Sequence, residues 1–383
     1  MASFDGTSGD DSLAGGSHDD NFDLTLGGDD TAFGAAGADG FYFGQSFTAA
    51  DRVDGGKGLD TLDLNGDYSA GVVFAAATMV NVEALSLEAG FDYRLTLDDA
   101  NVAAGAVLTI DAWGRTRFDG SAETDGRFIF DVRSEGDEFF GGKGDDVVNN
   151  QSLGFAGKTR LDGGGGYDTL VTTGGFDATL TGANCARFER IQILNTAGDT
   201  SLTLTDRVVA AGQTLVVEVE TYQDHLNLSL DASAIRHGHL DIGGGEHNDL
   251  LIGGQLADHI SSTAGADTLQ GGHGADTLSA GEGIDTFVYA SVADSSVHKP
   301  DMITDLEKGD IIDLAAIDAD TTQDGDQAFV LVESFDGHAG ELMLSYDTDR
   351  NRTTLSLDVD GDGRAEGVIL IAGHLNDFDN FAL

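Results

Sequence analysis

Apolar residues recur along this chain mostly at every second position, in short pieces set between polar spacers: Val82, Leu85 and Leu87; Leu95 and Leu97; Leu108 and Ile110; Phe128, Phe130 and Val132. A period of two marks half-buried β-strands in short pieces. Glycine supplies 55 of the 383 residues and proline one. So much glycine penalises helix and marks turns between the strands. The pattern becomes strict from Gly244 to Val288, which reads as five unbroken nonapeptides, GGEHNDLLI, GGQLADHIS, STAGADTLQ, GGHGADTLS and AGEGIDTFV. Their sixth places hold Asp249, Asp258, Asp267, Asp276 and Asp285, and their eighth places Leu251, Ile260, Leu269, Leu278 and Phe287. A disordered Gly/Asp-rich linker has no reason to keep an apolar residue two places after each aspartate.

A nine-residue unit holds one short strand and one turn, so two units make one coil of a parallel roll. Aspartates eighteen apart then stack: Asp249, Asp267 and Asp285 on one edge, Asp258 and Asp276 on the other. Adjacent coils lie about 4.8 Å apart, and two carboxylates at that distance repel by roughly 3 kcal/mol at an effective dielectric near 20. A cation between them reverses the sign. Calcium fits, because it takes six to eight oxygens, carbonyls included, whereas magnesium keeps its waters and zinc wants His or Cys. Gly244, Gly253, Gly254, Gly265, Gly271, Gly272, Gly274 and Gly283 are expected to allow tight turns with positive φ and to let carbonyls approach the ion. Scattered nonapeptides upstream carry Asp11, Asp20, Asp30, Asp39, Asp60, Asp146 and Asp168 at the sixth place. Each of these needs a neighbouring coil to complete a cage. The GGxGxDxUx pattern resembles the RTX calcium-binding repeat, which implies a β-roll holding several calcium ions.

A longer repeat of about 107 to 112 residues is also present. Asp60-Thr61-Leu62 matches Asp168-Thr169-Leu170, Val102-Ala103-Ala104-Gly105 matches Val209-Ala210-Ala211-Gly212, and Met79 matches Cys185. Each copy opens on a nonapeptide, runs through an insert and re-enters nonapeptide sequence. The inserts read as irregular coils continuing the roll, with an inserted β-sandwich as the alternative. The expected fold class is therefore all-β: a parallel β-roll or right-handed parallel β-helix solenoid with a C-terminal β cap. The expected divisions are 1–54 (N-terminal repeats), 55–162 and 163–243 (the two long repeats), 244–288 (the calcium roll) and 289–383 (cap and export region).

From Asp285 onward, DTFVYASVADSS, DMITDLEKGDIIDL, HAGELMLSYD and LSLDVDGDGRAEGVILIAGH resemble the C-terminal domain of serralysin-type RTX proteins. The resemblance implies a β cap on the roll and export through a type I ABC transporter, using an uncleaved C-terminal signal. The expectation agrees with an N-terminus, MASFDGTSGDDS, that lacks a secretory signal, and with the acids before the apolar tail in Asp377 to Leu383. The same resemblance places an accessory metal contact at Asp301 and Asp305. Asp358, Asp360 and Asp362, followed by Gly363, resemble the start of an EF-hand loop. Its twelfth place is Ile369 rather than Glu, so a β-hairpin turn is the competing reading.

Charge narrows the partners. With 68 acidic and 19 basic residues the formal net charge is −49, which opposes nucleic-acid binding through phosphates and anionic membrane surfaces unless calcium bridges. No apolar run has transmembrane length. A single cysteine, Cys185, forms no internal disulfide and reads as a small buried apolar position. His-Glu-x-x-His, Gly-x-Ser-x-Gly and the phosphate-binding loop are absent, so the zinc-protease chemistry of serralysins does not carry over. His225, His237 and His239 read as turn residues rather than a zinc site. Arg115, Arg117, Arg127 and Arg133 read as ion-paired on an acidic solenoid rather than as a polysaccharide contact. Trp113, alone of its kind, makes a poor sugar platform. The expected function is a secreted calcium-binding protein that folds after export and serves a surface-matrix, adhesive or host-interaction role, through self-association or calcium-bridged cell-surface polysaccharide. The alternative is a polysaccharide lyase or epimerase on a parallel β-helix.

Overall fold

The computed structural model describes residues 1–150, 158–194, 198–220, 226–375 and 378–383. The chain forms two compact units, residues 1–172 with 183–191 and residues 173–182 with 192–383. Among the described residues the only helical piece is a 3₁₀ turn, Asp99–Asn101, and no helix is long and apolar enough to cross a membrane.

The first unit is a stack of parallel coils. One face runs through Ser3–Asp5, Asn21–Asp23, Gly40–Phe43, Thr61–Leu64, Ala84–Leu87, Val107–Ala112, Arg127–Val132, Val147–Asn150 and Thr169–Thr173, each parallel to the next. The register places Phe4, Phe22, Phe41, Leu62, Leu85, Ile110, Phe130, Val148 and Leu170 in one inward column. The rings of Phe4, Phe22 and Phe41 stack at centroid distances of 4.9 and 4.8 Å. The period of two is what allows this. Every second residue points inward, and parallel register sets like on like. The opposite face holds Tyr68–Val73, Asp92–Thr96, Arg115–Asp119, Glu138–Phe140, Arg160–Asp162 and Cys185–Ala186 in parallel order. The inserts are thus coils, not a sandwich. Coil length varies from 18 residues (Ser3 to Asn21) to 26 (Val53 to Met79), which is why the nonapeptide phase is lost in the sequence while the stacking survives.

The second unit repeats the scheme. One column runs through Thr214–Glu220, His239–Gly243, His259–Ser261, Thr277–Ser279 and Asp301–Ile303. The other runs through Asp177–Leu180, Thr200–Leu204, Leu228–Asp231, Leu250–Ile252, Thr268–Gln270, Thr286–Val288 and Ile311–Asp313. The roll therefore continues past 288 through two further rungs, and its pairing crosses the expected division at 243/244 without a break. The cap is an antiparallel meander of Glu341–Asp347, Arg352–Asp358 and Gly367–Ala372. Its last strand lies parallel on Asp301–Ile303 and so covers the open edge that a terminal coil exposes.

Candidate calcium ladders

The sixth-place aspartates stand where each strand begins, and the coils bring them into continuous ladders. In the second unit the Asp249 N–H donates to Asp267 Oδ1, Asp267 N–H to Asp285 Oδ1 (both 2.8 Å) and Asp285 N–H to Asp310 Oδ1 (3.1 Å). On the other edge Asp258 N–H donates to Asp276 Oδ1 and Asp276 N–H to Asp301 Oδ1, each at 2.8 Å. The first unit builds the same device: Asp20 N–H to Asp39 and Asp39 N–H to Asp60 at 2.7 Å, then Asp60 N–H to Glu83 at 2.9 Å. Asp11 N–H reaches Asp30, and Asp30 N–H reaches Asp51. Asp146 N–H reaches Asp168, and Asp168 N–H reaches Glu189. An N–H just before a strand has no ladder carbonyl to use, and the carboxylate of the next coil supplies the acceptor.

The second oxygen of each carboxylate divides the set in two. In Asp20, Asp146, Asp249 and Asp258 it accepts an N–H from its own turn, from Gly16, Gly142, Gly245 and Gly254 respectively. In Asp30, Asp39, Asp60, Asp168, Asp267, Asp276, Asp285 and Asp301 it is buried with no donor at all. A buried ionised oxygen without a partner is costly unless a cation meets it. Room for a cation is present. A Cβ added at Gly55 would lie 2.6 Å from Asp60 Oδ2 and crowd the Asn81 carbonyl oxygen, and one at Gly163 would lie 2.6 Å from Asp168 Oδ2 and crowd the Arg187 carbonyl oxygen. The space that each leading glycine leaves open is lined by carboxylate and carbonyl oxygens, the donor set of a hard cation such as calcium. The residues fit the ion.

Electrostatics points the same way. Burial pushes the carboxyls of Asp60, Asp146, Asp258 and Asp267 up to about 6, those of Asp168 and Asp276 up to about 7, and that of Asp301 up to about 8. Neighbouring carboxylates add to the rise at Asp276, where Asp258 and Asp294 face it, and at Asp301, where Asp276 faces it.

Several sequence expectations change in detail. Gly265, Gly272 and Gly283 have positive φ, but Gly244, Gly253, Gly254, Gly271 and Gly274 do not. Those five are needed for clearance; a Cβ at Gly271, for example, would lie 2.9 Å from Asp276 Cγ and press on its carboxylate. Asp11 ends its ladder, with Oδ2 turned to the Thr7 N–H and hydroxyl. Asp301 occupies a full ladder place, whereas Asp305 accepts from Ser279 Oγ and the Ala280 and Gly281 N–H groups. The EF-hand-like stretch is a hairpin turn: Asp358 accepts the Gly361 and Gly363 N–H groups. Asp358 and Asp360 gather with Glu366 there, while Asp362 turns to the Arg364 N–H instead. His237 pairs with Asp206 at 3.0 Å, and His239 Nδ1 meets the Ala257 carbonyl at 2.7 Å. His225 and Asp377 lie outside the described residues. Arg115, Arg117 and Arg133 are ion-paired as expected, with Asp92, Glu138 and Asp111, and Arg133 also lies over the exposed Trp113 ring. Cys185 is buried, and burial pushes its thiol up to about 12.

Sequence reasoning missed Asp51, Glu83, Asp137, Glu189 and Asp310, which take ladder places without glycine-rich turns. Their signal is an acid two residues before an inward apolar side chain: Val53, Leu85, Phe139, Ile191 and Ile312. Glu123 was missed as well. It is buried beside Asp99 and Asp125; one oxygen takes three backbone N–H groups and the other has no donor.

Comparison with known families agrees with this geometry. The RTX calcium-binding nonapeptide repeat (4 copies) matches residues 3–29, and the peptidase M10 serralysin C-terminal region matches residues 136–382. Metalloprotease AprA of Pseudomonas entomophila (strain L48) is 47% identical over 131 residues, covering 34% of this chain and 27% of that protein. The match thus spans about a quarter of the relative's length. Stacked carboxylates, open glycine turns and a family match over more than half of its length together show that this calcium-binding RTX chain belongs to the peptidase M10 serralysin C-terminal family.

Proposed function

We propose that this secreted RTX protein is a scaffold whose folding is driven by calcium after export through a type I ABC transporter, and that it serves a surface-matrix, adhesive or host-interaction role. The observation that carries the reading is the set of eight buried aspartate oxygens with no donor among the described residues. In calcium-poor cytosol these carboxylates oppose compaction, as does a net charge of −49, and the chain stays threadable. Outside the cell, calcium at about 10⁻⁴–10⁻³ M suits weak extracellular sites and drives folding by binding the folded state. The motif that makes serralysins zinc proteases, His-Glu-x-x-His, is absent from the chain, which favours a non-proteolytic role.

The test is a calcium titration of chelator-stripped protein, followed by far-UV circular dichroism and sedimentation. A disordered spectrum turning β-rich at high micromolar to millimolar calcium is expected, with larger species growing in the same window if the role is a matrix one. A chain already folded in chelator and unchanged by calcium would refute the reading. A calcium-folded chain that stays monomeric would remove self-association from it.

A further inference from the structure

The first unit carries a groove of about 570 Å³ on the face built by Asp92–Thr96, Arg115–Asp119 and Glu138–Phe140. Arg94, Arg115, Arg117 and Lys158 line it, against Asp92, Glu135 and Glu138. Four cations against three carboxylates is an inversion in a chain with 19 basic and 68 acidic residues. Arg115 pairs with Asp92 and Arg117 with Glu138, yet the exposed Arg94 and Lys158 have no acidic partner among the described residues.

The placement is set by the coils. Asp92 stands opposite Arg115, and Arg94 opposite Arg117, in parallel register. Arg117 stands opposite Glu138, and Glu138 opposite Arg160. Arg94 and Arg117 are thus like charges on neighbouring rungs about 4.8 Å apart, an arrangement that is destabilising unless an anion is shared between them. Lys158 stands two coils on from Arg115, and both side chains flank Gly136 on the rung between them, at 3.6–3.8 Å from where its Cβ would be. Arg117 and Arg160 also lie over the Phe140 ring at 4.5 and 4.8 Å.

We propose that this groove binds an acidic polysaccharide, a chain of uronate sugars running along the stacked rungs. The uronate carboxylates pair with Arg94 and Lys158 and share Arg115 and Arg117, while Asp92, Glu135 and Glu138 accept hydrogen bonds from sugar hydroxyls. The alternation of signs suits a polymer that alternates spaced carboxylates with hydroxyls. It rejects the dense phosphates of a nucleic acid. The distant acids of the chain are screened beyond about 8 Å at physiological ionic strength, so the local charges decide. The site uses none of the ladder carboxylates and goes beyond the scaffold reading.

The test is calorimetric titration of the full chain in millimolar calcium with short oligogalacturonates, with a neutral cello-oligosaccharide as control and circular dichroism to verify the calcium-folded state. Binding of the oligouronate alone, weakened by salt, is expected. The double variant Arg94→Ala with Lys158→Ala, both exposed positions, should weaken it at least ten-fold, while Arg350→Ala in the cap leaves it unchanged. Absence of oligouronate binding to folded protein, equal binding of the neutral sugar, or unchanged affinity in a folded double variant would each overturn the assignment. The last result would place any uronate on calcium ions elsewhere. Failure of the protein to fold with calcium is seen in the dichroism and bears on the scaffold reading instead.

Discussion

Replacing Asp276 by asparagine should have opposite effects with and without calcium. Asp276 is 1% exposed. Its Oδ1 accepts the Asp258 N–H at 2.8 Å, a bond that asparagine keeps, and its Oδ2 has no donor. Burial, aided by Asp258 and Asp294, raises the carboxyl from 3.8 to about 7. At pH 7 an ionised group held three pH units above its unfolded value costs the calcium-free folded state about 4 kcal/mol. Asp276→Asn removes that cost, less whatever its amide lacks in acceptors, so the calcium-free variant should gain about 2–4 kcal/mol. In calcium the variant loses a ligand and should need more of the ion to fold. The assay is refolding in chelator driven by trimethylamine oxide, which favours compact states, beside a calcium titration of the same protein. The variant should fold at lower osmolyte and higher calcium than the wild type. A variant less stable than wild type in chelator would refute the argument that the free oxygen is an unpaid charge awaiting a cation.

Gly271→Ala should raise the calcium midpoint by roughly ten-fold, because its Cβ displaces the Asp276 carboxylate at about 1–3 kcal/mol. Gly165→Ala, with nothing within 4 Å of its Cβ, should stay within about 0.5 kcal/mol of wild type. The Cys185 thiol, buried and pushed up to about 12, should resist a thiol reagent in calcium and react in chelator; equal rates in both would show that its coil does not depend on the ion. Acidity should act in opposite directions on the two states. The ladder carboxyls raised to about 6–8 favour the calcium-free fold fully below the unfolded value, and that stability is lost as pH rises through the folded values. Denaturation in chelator should therefore show a more stable chain near pH 5 than near pH 8, whereas calcium affinity, which needs deprotonated ligands, should be weaker near pH 5.

The sequence by itself determined the strand period, the two-unit coil and the aspartates from Asp249 to Asp285, because each is local: alternation, glycine spacing and an acid two residues before an apolar side chain all lie within nine residues. It also showed that Leu251, Leu269 and Phe287 would stack, since an exact eighteen-residue phase leaves one register. Tertiary structure decided what depends on register between coils of unequal length. Asp51, Glu83, Asp137 and Glu189 became ladder members because the coil beside each presents an N–H with no other acceptor, and no nonapeptide marks them. Whether an aspartate keeps a free oxygen was likewise decided by its turn: the N–H of Gly16, Gly142, Gly245 or Gly254 reaches back in four cases, and no donor does so at Asp276 or Asp301. The groove of Arg94, Arg115, Arg117 and Lys158 follows the same rule. These residues are far apart in sequence and meet only because coils of 21 to 23 residues set them on successive rungs, a distance that no local pattern can express.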